Sequence, residues 1–149
     1  MRTLISDPAT IDKELQEADL VIGAVLIPGA AAPKLVREET VKKMKKGAVL
    51  VDVAIDQGGC FENSKKTSHD DPTFKVHDTL FYCVANMPGA VANTSTRALS
   101  SATLPYIRAV ANDSLDAAIK RFPGLEGGVM TRGGRLVSEP VRKAFDWED

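Results

Sequence analysis

Two almost unbroken apolar runs constrain this chain more than anything else in it. They are Leu20-Val21-Ile22-Gly23-Ala24-Val25-Leu26-Ile27 and Ala48-Val49-Leu50-Val51-Asp52-Val53-Ala54-Ile55. Neither alternates apolar with polar residues, as a strand covered on one face does. Runs of this kind suit strands buried on both faces, the usual state of a parallel sheet. The first stops at Pro28-Gly29, and the second leads into Asp56-Gln57-Gly58-Gly59. Thr79-Leu80-Phe81-Tyr82-Cys83-Val84 reads as a third strand, ending in Asn86-Met87-Pro88-Gly89. Between the first two, residues 33–44 read as a charged surface helix, with Lys42, Lys43, Lys45 and Lys46 at its carboxy end and Gly47 to close it. Strand, helix, strand in this order predicts a parallel α/β sheet.

Around that sheet the pattern is helical. Asp7 before Pro8 is a helix start, a capping carboxylate followed by proline at the first helical position, with Ile11, Leu15 and Ala18 at helical spacing. Leu4-Ile5 ahead of it is a short apolar piece. A polar loop is expected over 61–78. After the third strand, Asn93 or Thr94 caps a helix carrying Leu99, Ala102, Tyr106, Ile107 and Val110, which Pro105 kinks or interrupts. A further helix is expected over about 114–122 and ends at Pro123-Gly124. Gly133-Gly134 reads as a hairpin turn between Val129-Met130 and Leu136-Val137, and Ser138 as the cap of a last short helix with Val141 and Phe145.

Charge excludes some functions. Nineteen Lys and Arg against 20 Asp and Glu leave a net charge of -1, which gives no electrostatic case for nucleic acid or an anionic membrane. No apolar run reaches membrane-spanning length, and the first residues do not read as a signal peptide. Cys60 and Cys83 are too few for a disulfide framework, so a reducing cytoplasm is expected. His69 and His77 share no helical metal-ligand spacing, and no metal site is expected.

Open α/β sheets bind ligands beyond the carboxyl ends of their strands. Three segments end there: Val25 to Gly29, Val53 to Gly59 and Val84 to Pro88. The first brings apolar groups that suit the faces of a flat ring. The second sets the Asp56 carboxylate beside glycines that let a ligand approach backbone. The third brings an amide, Asn86, and a thioether, Met87. On the residues alone, Asp56 and Asn86 read equally as turn residues and Met87 as core. No G-x-G-x-x-G is present, so the phosphate-binding half of a dinucleotide fold is not visible.

Long stretches resemble the alanine dehydrogenase family. They are residues 18–29, 32–36, 51–62 and 77–88, continuing through Thr94-Ser95-Thr96 and 102–106 and weakening after about Gly127. The nucleotide-binding part of proton-translocating transhydrogenase resembles residues 28–29 and 32–35 too, but 54–61 and 83–88 look like alanine dehydrogenase. The resemblance implies a partial Rossmann-like, doubly wound parallel sheet over 1–93, the second half of an NAD-binding domain. A helical segment over 94–149 follows, which in the family returns to the substrate domain. It implies reversible oxidative deamination of L-alanine to pyruvate and ammonium with NAD. Asp56 matches the catalytic aspartate. Val53, Ala54, Ile55, Asp56, Val84, Ala85, Asn86 and Met87 match nicotinamide-side contacts. Val25 and Leu26 match contacts further along the cofactor, Ser6 one near the adenosine end, and Lys65 stands where many members carry arginine.

The family's catalytic histidine, its basic pair for the substrate carboxylate and its glycine-rich phosphate loop have no counterpart here. The resemblance therefore implies a carboxy-terminal portion, inactive alone, that keeps strands three to six, the first of them around Leu4-Ile5. The strand Leu20 to Ile27 then becomes an exposed apolar edge, covered by a rearranged segment or by a second copy in a homo-oligomer. A complementing amino-terminal chain would restore the enzyme. The other readings are a non-catalytic remnant that self-associates or binds part of a nucleotide, and a transhydrogenase alpha-subunit relative.

Overall fold

A computed structural model describes residues 2–145. The chain divides into two compact units between Met87 and Pro88.

The first unit is an α/β arrangement built on a four-stranded sheet. Helix α1 (Pro8–Gln16) starts as its sequence dictates: the Asp7 carboxylate accepts from the N–H groups of Ala9 and Thr10, both at 3.0 Å. Strand β1 (Leu20–Gly23) runs parallel to β2 (Val49–Asp52), with Leu20 opposite Val49 and Gly23 opposite Asp52. Beyond β2 lies β4 (Thr79–Tyr82), again parallel, and β3 (Thr73–Val76) closes the sheet antiparallel to β4. The core sits on this sheet: Leu50, Phe61, Phe81, Val41, Cys60 and Cys83 are all buried, and the Phe61 and Phe81 rings meet edge to face at 5.9 Å.

Several expectations need correction. Leu4-Ile5 forms no strand; no sheet partner pairs with it, and Ile5 is 90% exposed. The strand expected over 20–27 stops at Gly23, because its partner β2 ends at Asp52 and turns into a 3-10 helix over Val53–Gln57. The third strand stops at Tyr82 rather than Val84. The sheet is mixed rather than wholly parallel, since β3 lies inside the expected polar loop. Its hairpin to β4 turns through His77 at φ 51.

Only α2 (Glu38–Val41) is helical within the surface helix expected over 33–44. Leu35 N–H donates to Cys60 C=O at 2.8 Å and Glu62 N–H to Val36 C=O at 2.8 Å, so tertiary pairing holds 33–37 extended. The apolar points Val36, Val41 and Met44 are buried there, with Thr40 beside them. The expected exposed edge does form: β1 lies at the border of the sheet with Leu20 and Ile22 largely in solvent.

The second unit is helical. Helix α3 (Ala92–Asn112) contains Asn93 and Thr94 rather than being capped by them, and it continues through Pro105. Helix α4 (Leu115–Arg121) is capped by Ser114, whose hydroxyl accepts from Ala117 N–H. Gly133 and Gly134, at φ 57 and 80, link β5 (Thr131–Arg132) to β6 (Arg135–Leu136) in a two-residue turn that needs positive φ at both positions. Val137 N–H extends the pairing to Met130 C=O at 2.9 Å. Helix α5 (Glu139–Ala144) follows Ser138, whose side chain makes no capping bond, and Phe145 lies just past the helix. Among the described residues, no helix is long and apolar enough to cross a membrane.

Candidate functional site

The site grows from the carboxyl ends of β2 and β4. Asp52, the last residue of β2, is fully buried and turns the chain. Its carboxylate accepts from Ala54 N–H at 3.0 Å, from Cys60 N–H at 2.9 Å and from the Ser64 hydroxyl. These bonds fold 53–64 into a closed loop that starts with the 3-10 turn. Gly58 and Gly59 leave that turn at φ 92 and 76. A Cβ on Gly59 would stand 2.7 Å from Asp52 Oδ2 and 2.6 Å from Ser64 Cβ, so only glycine fits. Lys34 crosses from the preceding loop, its Nζ donating to the Gly58 and Gly59 carbonyls at 2.5 and 2.9 Å.

Asp56 rides on the outer side of the turn, its side chain 54% exposed. Oδ2 accepts from Asn86 N–H at 3.2 Å, which joins the β2 end to the β4 end. Oδ1 faces Lys66 Nζ at 3.9 Å. Asn86 sits at φ 52, a left-handed conformation that asparagine tolerates better than most residues. Its carbonyl lies 3.4 Å from His69 Nε2.

The site residues named from sequence thus fall into groups. Asp56 and Asn86 are brought together directly. Ala54, Ile55 and Val84 are buried beneath them, and Ala85 and Met87 are half-buried. Val53 and Leu26 are exposed apolar side chains, while Val25 packs against the core. Lys65 does not reach Asp56; its Nζ stands 4.9 Å from the Phe74 ring centre, a cation–π contact. Ser6 lies in the exposed segment before α1, and no hydrogen bond ties it to the others among the described residues.

Lys66 and His69 escaped sequence reasoning. Neither carries a motif. They arrive because the loop returns beside β4, where Thr67 N–H donates to Cys83 C=O at 3.0 Å and Ala85 N–H to Thr67 C=O at 3.3 Å. His77 lies elsewhere, its Nε2 3.0 Å from Glu38 Oε1, and that hydrogen bond holds the Glu38 carboxyl below its usual range. Among the described residues no group of three or more His, Cys, Asp and Glu is placed to hold a metal ion. Both cysteines are free. Burial, then the nearby Asp52 charge, pushes the Cys60 thiol up to about 12, and burial also raises Cys83. Both therefore stay protonated and weakly nucleophilic.

The family model described as "Alanine dehydrogenase/PNT, C-terminal domain" matches residues 1–139. The chain belongs to that family. It is 56% identical over 146 residues to an alanine dehydrogenase of Mycolicibacterium smegmatis, covering 98% of this chain and 39% of that protein. It is 55% identical over 141 residues to one of Mycobacterium tuberculosis, covering 95% and 38%. Among solved structures, an L-alanine dehydrogenase superposes with a TM-score of 0.73 at 46% identity, covering 95% of this chain and 39% of that one. A transhydrogenase from Sinorhizobium meliloti reaches 0.65 at 24% identity over 90% and 36%, a likeness of fold. The chain thus spans about two fifths of the length of its alanine dehydrogenase relatives. The Asp56–Asn86 junction lies inside the matched residues.

Proposed function

We propose that this chain forms the nicotinamide-side wall of an NAD-dependent alanine dehydrogenase, which interconverts L-alanine, NAD and water with pyruvate, ammonium, NADH and a proton. The observation that carries this reading is the Asp56–Asn86 hydrogen bond at the paired carboxyl ends of β2 and β4, in a chain of this family. Those are the ends where open α/β sheets bind ligands.

The groups here suit the nicotinamide half of the cofactor. A half-exposed carboxylate stands beside backbone, and the exposed side chains of Leu26 and Val53 offer apolar surface for a flat ring. When bound, NAD supplies the ring carbon that accepts a hydride from the substrate's α-carbon. Asp56 supplies the charge chemistry around that transfer. As hydride leaves, the substrate carbon and nitrogen become an iminium cation, which a fixed carboxylate stabilises. Before that transfer the same carboxylate takes a proton from the substrate ammonium and hands it to solvent, so that it is charged again when the iminium forms; the reverse direction retraces both steps. Asn86 N–H holds Oδ2, and Lys66 balances the charge on the side of Oδ1. Asn86, Ala85 and Met87 shape one wall of the site, with Ala54, Ile55 and Val84 beneath. In this reading Val25, Leu26, Lys65 and Ser6 lie along the rest of the cofactor. The grip on the substrate carboxylate and the histidine come from the remaining length seen in the relatives. Two buried cysteines without a disulfide suit a reducing cytoplasm.

The test is a graft. Residues 1–139 replace the matched segment of the Mycolicibacterium smegmatis enzyme, and alanine-dependent NADH formation is measured. The expected result is activity with NAD and L-alanine. A chimera that folds and binds NAD but forms no NADH would overturn the reading.

A further inference from the structure

We infer that Asp52 is the positioning residue for Asp56, an inference that rests on the role just given to Asp56. Asp56 has little to hold it by itself. Its side chain is half exposed, and its ties are one backbone N–H at 3.2 Å and one exposed lysine at 3.9 Å. Exposed ion pairs of that kind fix geometry poorly. Its place is therefore set by the backbone that carries it, the 3-10 turn Val53–Gln57.

A five-residue 3-10 turn has no stability of its own. It persists because both ends are anchored. At its start, Asp52 Oδ1 accepts from Ala54 N–H. Past its end, Oδ2 of the same carboxylate accepts from Cys60 N–H and from the Ser64 hydroxyl. Within the loop, Gly59 N–H donates to Ala54 C=O at 3.0 Å, and Gln57 C=O accepts from Ala32 N–H at 2.9 Å. One buried side chain thus clamps both feet of the loop on which Asp56 stands. Every donor aimed at it needs an acceptor. An asparagine would turn its NH2 toward either Ala54 N–H or Cys60 N–H, leaving two buried donors facing each other. The loop must then shift, and Asp56 shifts with it.

The test is a double-mutant cycle in the active chimera, read together with NMR of the full 149-residue chain. Asp52→Asn is expected to lower kcat by about 10- to 100-fold, as a displacement of the reacting group does, with the KM for NAD little changed. In an Asp56→Asn background the same substitution is expected to change kcat by no more than about 2-fold, because the group it positions is already gone. Equal losses in both backgrounds would overturn the inference and make Asp52 a general stabiliser. So would no loss in either. Should Asp52→Asn fail to fold, Ser64→Ala removes one donor and runs the same cycle with the same expected non-additivity. In the NMR experiment, Asp56→Asn identifies the Asn86 amide by its shift, and Asp52→Asn or Ser64→Ala is expected to move that same resonance. An unmoved Asn86 amide in both variants overturns the inference. An Asp56→Asn chimera with undiminished kcat overturns the reading of Asp56 instead, and the Asn86 resonance still decides whether Asp52 places it.

Discussion

Residues 2–87 bury phenylalanines; residues 88–145 bury alanines. In the first unit, Phe61, Phe81, Leu50 and Val41 are closed off from solvent between the sheet and its surrounding loops. In the second, the buried apolar residues among those described are Ala109 and Ala118, while Leu99, Tyr106, Ile107 and Val110 of α3 are exposed. A 21-residue helix with one buried residue gains little from packing within this chain. The contrast separates a region with a large buried core from one whose packing is slight, a Tyr106–Phe122 ring contact and two buried alanines. The candidate site belongs to the first unit, and its ties to Asp52, Cys60 and Ser64 run into that core.

The largest expected effect tests that asymmetry. Phe81→Ala removes a ring at the centre of the first unit and should cost about 3–5 kcal/mol. Ile107→Ala on α3 should stay within about 0.5 kcal/mol, as an exposed substitution does. Urea midpoints for the two variants measure the difference; equal losses would erase the contrast between the units.

A smaller effect appears in alkali. The Cys60 thiol is raised in the folded chain from 9.0 to about 12, so folding favours its neutral form. That contribution is complete below about pH 9 and is lost as pH rises through the window toward 12, where the unfolded chain has already released the proton. Cys60→Ala should flatten this alkaline fall in stability. An unchanged slope would mean the thiol is not the group responsible.

The smallest effect is in acid. Glu38 is lowered first by His77 and then by Lys42, so its contribution is present above the ordinary value of 4.5 and disappears as pH falls below it. His77→Gln should weaken the acid limb of the stability profile slightly. The shift is small because both side chains are solvent-exposed.

The sequence was most legible where local chemistry and tertiary structure agree. Asp7-Pro8 starts α1, Ser114 caps α4 and Gly133-Gly134 turns a hairpin, each for reasons confined to a few residues. The apolar runs located β1 and β2 but overstated their lengths, since a strand ends where its partner leaves and Asp52 turns the chain away. Strand β3 was hidden because its turn uses His77-Asp78 rather than an Asn-Gly or Asp-Gly signal. The span 33–37 read as helix because side-chain periodicity is blind to the carbonyl of Cys60, which lies across the fold. At the site, Asp56 and Asn86 stood out because both follow strands. Lys66 and His69 did not, because only the bridge between Thr67 and Val84 carries them there. The polar role of Asp52 was masked by the apolar run around it.

The most direct measurement is the rate of alanine-dependent NADH formation by the chimera carrying Asp56→Asn, at saturating alanine and NAD. A proton-handling carboxylate predicts a loss of about 100- to 10,000-fold with NAD still bound. A rate equal to that of the parent chimera would contradict the account, because the carboxylate at the junction of β2 and β4 would then have no part in the chemistry.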